Sequence, residues 1–296
     1  MRTPALTAAF LANLIYGLNY VIAKGIMPVY LQPRSIILLR VGGAALVFSV
    51  LYFSKSVQTV KFAHLLRLAT AAFFGVAMNQ ILFFEGLNLT NPINASIIMV
   101  GVPIIVLLLS AIFLSERLNA INVSGVIAGF TGAAYLIYMS GNQSDNSTTL
   151  IGNLLILGNA TSYSVYLVIV KPLFRHYKPL TIVAWIFLFG LFYVTPLTIS
   201  GALNENWAEI PLSIWLSILY VIVFTTIVAY FLNNYSLSHL SPSANSAFIY
   251  TQPVFASLVA ISTGSDKLRL MHLLAALLIF AGVYLVSKPN IPGSKS

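Results

Sequence analysis

Apolar residues run along this chain in long stretches that end at short polar breaks, and within them apolar and polar positions do not alternate. Ten runs emerge: Pro4–Lys24, Ser35–Phe53, Leu65–Leu87, Ile93–Leu114, Ile121–Met139, Leu150–Val170, Leu180–Ser200, Leu212–Asn233, Ser243–Thr263 and Met271–Ser287. Each is close to the roughly 20 residues a helix needs to cross a bilayer core. A membrane β-barrel would show strands of about ten alternating residues instead. The pattern predicts an all-α integral membrane protein with ten transmembrane helices.

One pattern occurs twice. "NPINASIIMVGVPIIVLLLSAIFLSERL" (Asn91–Leu118) and "SPSANSAFIYTQPVFASLVAISTGSDKL" (Ser241–Leu268) share a proline at the entry, a proline at the centre and an acid at the exit. Pro92 matches Pro242, Ser96 matches Ser246, Pro103 matches Pro253 and Glu116 matches Asp266, each at a spacing of 150. "YGLNYVIAK" (Tyr16–Lys24) lines up with "YSVYLVIVK" (Tyr163–Lys171) at a spacing of 147, and Gly132 with Gly282 at 150 again. Two five-helix units follow, 1–140 and 150–288, joined by the polar linker 141–149 and ending in a short tail, 289–296. Five crossings is an odd number, so tandem copies must enter the membrane from opposite sides. Such inverted repeats build alternating-access carriers around a site near the midplane.

The paired motifs resemble the drug/metabolite transporter superfamily, in its EamA-like ten-helix branch. The resemblance extends from Ala5 to Ser287 and rests on the small-residue helix start, the central proline and the acid near the helix end. Arg40, in "LLRVGGAAL", resembles an arginine that members of the family carry in the second helix. The second copy departs from the pattern, with "GSDKL" where an acidic Glu follows Gly or Ser. The resemblance implies a carrier for small metabolites, with export of amino acids and related compounds common; it does not fix the substrate.

Composition removes the soluble alternatives. Hydrophobic residues make up 59% of the 296 and charged ones 7%, against about 25% charged in a soluble domain; the mean hydropathy is +0.92. The net charge of +9 would suit nucleic acid, but its distribution is that of an orientation signal. With the N-terminus inside, the inner loops and tails carry ten Lys and Arg and the outer loops four, Lys24, Arg34, Lys267 and Arg269. Lysine and arginine favour the cytoplasmic side, so both termini are expected in the cytoplasm. The short outer loops suggest a bacterial inner membrane. Cysteine is absent, which excludes disulfides and thiolate metal sites. GxxxxGK[ST], HExxH and GxSxG motifs are missing, so neither a nucleotide-driven pump nor a hydrolase is expected, nor any cofactor. The expected partners are a small-molecule substrate, the lipid bilayer and protons as a candidate coupling ion. The chain is expected to be a monomer or a weak homodimer.

The polar residues inside the runs carry the candidate chemistry. Pro103 and Pro253 sit mid-run; proline lacks an N–H and crowds the carbonyl four residues back, that of Met99 or Ile249. In hydrocarbon such a carbonyl must find a partner or line a cavity. Asn13, Tyr16 and Tyr20 form one helical face of the first run, and Asn159, Tyr163 and Tyr166 the matching face of the sixth. Asn79 and Gln80 mark the third run, Thr226 and Tyr230 the eighth, and Asn245, Phe248 and Gln252 the ninth. Any one amide is better explained as interhelical glue, whereas matched stripes on equivalent helices point to a shared cavity. Arg40, about 8 Å into its helix at 1.5 Å per residue, is expected near Glu85 and Lys24 in the outer third, as an ion pair, outer gate or coupling site. With no Lys or Arg expected at binding depth, the substrate is read as neutral or zwitterionic. A non-transporting sensor or assembly protein is the alternative; an intramembrane enzyme would need a deep Ser, Asp or metal constellation that the chain lacks.

Overall fold

The computed structural model describes residues 2–55, 58–90, 92–116, 119–139, 147–255, 258 and 270–287. Most of the linker, the end of the ninth run and the C-terminal tail lie outside them. In chain order the elements are α1 (Arg2–Ile26), α2 (Pro33–Lys55), α3 (Phe62–Leu89), α4 (Pro92–Met99), α5 (Val102–Leu114), α6 (Ala120–Met139), α7 (Ser147–Val170), α8 (Pro179–Leu203), α9 (Leu212–His239), α10 (Pro242–Ala247) and α11 (Leu270–Ser287). Among the described residues the regular structure is helical throughout. Among the described residues, seven helical spans are long and apolar enough to cross a membrane, and Ala120–Gly132 and Leu273–Ser287 are shorter apolar helices.

Polarity is arranged for an apolar solvent. Leu46, Val50, Leu66, Leu108, Ile112, Leu154, Phe192, Leu216 and Leu277 point outward, while Asn13, Arg40, Gln80, Asn159, Asn233 and Gln252 are buried. In lipid no water satisfies an outward amide, so polar groups collect where protein can. α1 packs on α9, α3 on α7, α2 on α8 and α6 on α11. The last pair meets backbone to backbone: a Cβ on Gly282 would lie 2.5 Å from the nitrogen of Gly129 and 2.6 Å from the carbonyl oxygen of Gly125. Small residues permit this approach, on which membrane helices depend for dispersion contact.

Three departures from regular α-helix shape the interior. α3 and α9 each contain a π-helical stretch, Phe73–Met78 and Val221–Val228. The proline-centred runs are interrupted as their sequence predicts. α4 stops at Met99 and α5 starts at Val102 with Pro103 in its first turn. After α10 the chain winds as a 3-10 helix over Phe248–Thr251, and Pro253 follows in the next turn. Side chains satisfy carbonyls along the loosened α3: Ser162 donates to Phe74 and Asn159 to Asn79, at 2.7 and 2.8 Å, and the Tyr230 hydroxyl lies 3.1 Å from the carbonyl of Gly75.

The ends of α3 and α9 are held alike. Lys24 donates to the carbonyls of Leu87, Asn88 and Thr90 at 2.8, 2.8 and 3.0 Å. Lys171 donates to those of Leu237, Ser238 and Leu240 at 2.7, 3.5 and 2.8 Å. The last carbonyls of a helix lack partners within it and carry its negative dipole end, so an ammonium is well placed there.

Candidate binding cavity

α1, α2, α3, α4, α7, α9 and the 3-10 turn after α10 line a half-open cavity with about 550 Å³ of space between its atoms, part of it continuous with the outside. Of the residues expected at a site, Tyr16, Tyr20, Asn79, Gln80 and Met99 line it from the first half of the chain, and Asn159, Tyr163, Tyr230 and Gln252 from the second. Asn13, Pro103, Tyr166, Asn245, Phe248 and Pro253 are buried outside the lining. Several of these hold the wall in place. Gln252 donates through Nε2 to Asn13 Oδ1 at 2.7 Å and accepts from Tyr20 at 3.1 Å. Tyr166 donates to Asn234 at 2.7 Å, and Asn245 to Asn233 at 2.9 Å. On the opposite wall Gln80 donates to the Tyr230 hydroxyl at 2.9 Å. That hydroxyl directs its single proton at Gly75 O or Asn79 Oδ1, both at 3.1 Å.

Beside Arg40, the lining also includes Ile249, named in the sequence only for its carbonyl, and Asn19, Phe83 and Thr225, which were not singled out there. Asn19 and Phe83 lie at helical spacing from Tyr16 and from Asn79 and Gln80, so periodicity could have found them. The other two follow from the altered windings. Counting back from Gln252, an α-helix brings Phe248 to the same face, whereas 3-10 winding brings Ile249. Counting back from Tyr230, a π-helix favours Thr225 over Thr226 for the same reason.

The three charged residues expected together near the outer surface are separated. Glu85 pairs with Arg34, not Arg40, at 3.3 Å across side chains 60% and 30% exposed. Lys24 is spent on the carbonyls at the end of α3. Arg40 turns inward and lines the cavity, 3% exposed. Its Nε donates to Thr226 Oγ1 at 2.7 Å, and that hydroxyl donates on to Val221 O at 2.8 Å. The Phe84 ring lies 4.6 Å from the guanidinium carbon, a cation–π contact. Thr226 is midway along Leu212–His239, so the expectation that no fixed cation reaches binding depth is corrected. The length of the arginine side chain carries its charge beyond the depth of its backbone. Among the described residues no three His, Asp or Glu side chains gather to hold a metal.

Comparison with known proteins places this architecture. The sequence profile of the EamA-like transporter family matches the chain twice, over residues 3–138 and 150–288. The "Uncharacterized transporter YyaM" of Bacillus subtilis is 22% identical over 87% of this chain and 85% of its own length. A Streptantibioticus cattleyicolor protein named "Probable terminal-alkyne amino-acid exporter" is 24% identical over 67% of this chain and 65% of its own. A solved crystal structure with 21% identity superposes with a TM-score of 0.75 over 96% of both chains, a likeness of fold alone.

Proposed function

Because the chain belongs to the EamA-like transporter family, we propose that it is a secondary carrier that moves a small zwitterionic or neutral metabolite, of amino-acid type, by alternating access. The observation that carries this reading is the cavity itself, built from both halves of the chain and lined by tyrosines, amides and apolar side chains. Aromatic rings offer apolar area with a polar edge, and amides both donate and accept. Export as the working direction follows the relative named as an amino-acid exporter.

In the proposed topology, ten crossings form two inverted repeats, 1–140 and 150–288, about an outer linker, with both termini in the cytoplasm of a bacterial inner membrane. Bonds between helix ends support it, since they join ends assigned to one side. Arg2 donates to the carbonyl of Ser287 at the inner face. Tyr177 meets Lys61 N at 3.1 Å and His64 at 2.9 Å there, and Ser243 donates to Glu116 at 3.0 Å. At the outer face Glu205 accepts from Gln32 N and Ser35 at 2.7 and 2.6 Å, and Thr90 donates to Asn153 at 2.7 Å.

Counterflow in proteoliposomes, with labelled amino acids as a panel, tests the activity. Uptake of at least one amino acid against preloaded unlabelled compound is expected, and an imposed pH gradient will report proton coupling. The reading fails if no amino acid exchanges, or if a nucleotide sugar inhibits strongly where amino acids do not.

A further inference from the structure

Arg40 is an unusual lining residue. It is the one charged side chain among those that line the cavity, and the single ion pair among the described residues, Arg34–Glu85, leaves it without a carboxylate. A guanidinium has five N–H donors in a planar fork. Among the described residues one is used, Nε toward Thr226, and Phe84 covers one face of the group. The remaining four donors have no acceptor there. A charge near the middle of a bilayer is costly and is normally paired, and an unpaired buried cation costs more than a paired one. The site is therefore short of one anion.

Other residues of the lining are short of a donor. Asn159 Nδ2 donates to the carbonyl of Asn79, which fixes the orientation of the amide and makes Oδ1 its acceptor. That Oδ1 is buried without a partner among the described residues, as is Asn19 Oδ1 on another lining residue. A cation with free donors, and unsatisfied amide oxygens just beneath the surface of residues that line the same cavity, match a carboxylate and an ammonium on one small molecule.

Resting on the amino-acid reading above, we infer that Arg40 is the substrate-carboxylate anchor of this carrier, and that it makes the cavity selective for molecules with one carboxylate. The fork suits a carboxylate edge on. A single positive charge balances a monoanion, whereas a phosphate dianion would leave net negative charge unpaired in the cavity. The same charge repels amines and other lipophilic cations that lack a carboxylate. Asn159 and Asn19 take the ammonium, and Phe83, Met99 and Ile249 supply the apolar contact for a side chain.

The test compares each of the twenty protein amino acids with its carboxamide and its decarboxylated amine, as competitors of counterflow and as stabilisers of the purified protein against heat. For L-leucine the set is L-leucinamide and 3-methylbutylamine, with 4-methylpentanoate as the acid lacking an ammonium. Wild type is expected to prefer the acid over amide and amine by about tenfold or more, the scale of a charge-assisted hydrogen bond. In R40Q that preference should vanish, acid and amide binding equally weakly. R40K keeps the charge but loses the fork and should retain part of it. Because the wild-type series decides the matter alone, misfolding of a variant leaves the inference falsifiable. Amides that compete as well as acids overturn the anchor and leave amino-acid transport standing. If no amino acid is carried while 4-methylpentanoate stabilises wild type and not R40Q, the amino-acid reading falls and the anchor stands. If neither acid nor amino acid binds, both fall.

Discussion

Gln252 stands between Asn13 and Tyr20 and completes both of their side-chain bonds, donating to one at 2.7 Å and accepting from the other at 3.1 Å. In a membrane interior a lost hydrogen bond costs most when a bare polar atom stays behind. Gln252→Leu strips the acceptor from Tyr20 and the donor from Asn13. A loss of about 1–3 kcal/mol is expected, at the lower end because Tyr20 also faces the cavity and because interhelical bonds in membranes run modest. Unfolding of the detergent-solubilised protein will measure it, and adding Asn13→Leu should cost less than the sum of the two single changes. Strictly additive losses would mean that the two side chains are not coupled. The Arg34–Glu85 pair is a contrasting case: half-exposed and monodentate, it should contribute no more than about 1 kcal/mol.

At the scale of elements, the two lysines at the ends of α3 and α9 are equivalent parts. Each comes from the first helix of its half and grips the exposed carbonyls of the third, just before the proline that opens the next helix. Lys24→Met and Lys171→Met should each destabilise the protein by about 1–3 kcal/mol, since a charged donor is lost from three carbonyls. Equal effects are expected from the matched partners, although one residue is assigned to the outer face and the other to the inner. Unchanged unfolding in both variants would dismiss the two contacts as incidental. Matched π-helical stretches in these same helices loosen the backbone beside the cavity, where bending would serve a carrier best.

For the whole molecule, orientation is open to a direct measurement because the chain has no cysteine. Lys61 and Asn204 are both exposed at helix ends, and the lysine and arginine asymmetry puts them on opposite sides. An impermeant thiol reagent on intact cells should label Asn204→Cys and spare Lys61→Cys until the membrane is opened. The reverse result would invert the proposed topology while leaving the fold as described.

The apolar helices were legible because a helix that crosses lipid must be long and apolar, and a motif repeated at spacing 150 is visible without any structure. The tyrosine and amide stripes were legible as well, since a costly polar face marks itself against an apolar background. Tyr16, Tyr20, Asn159 and Tyr163 could be picked out by α-helical periodicity, which the structure keeps in α1 and α7. Periodicity failed where the winding changes, placing Phe248 where Ile249 lines the cavity and passing over Thr225 beside Thr226. It also could not aim a long side chain. The depth of the Arg40 backbone in its helix suggested the outer third and Glu85, but Arg34 occupies that acid and Thr226 and Phe84 draw the guanidinium inward. Sequence determined which residues are too polar for lipid; where each one finds its partner depended on how the helices pack, because that choice is made between elements far apart in the chain.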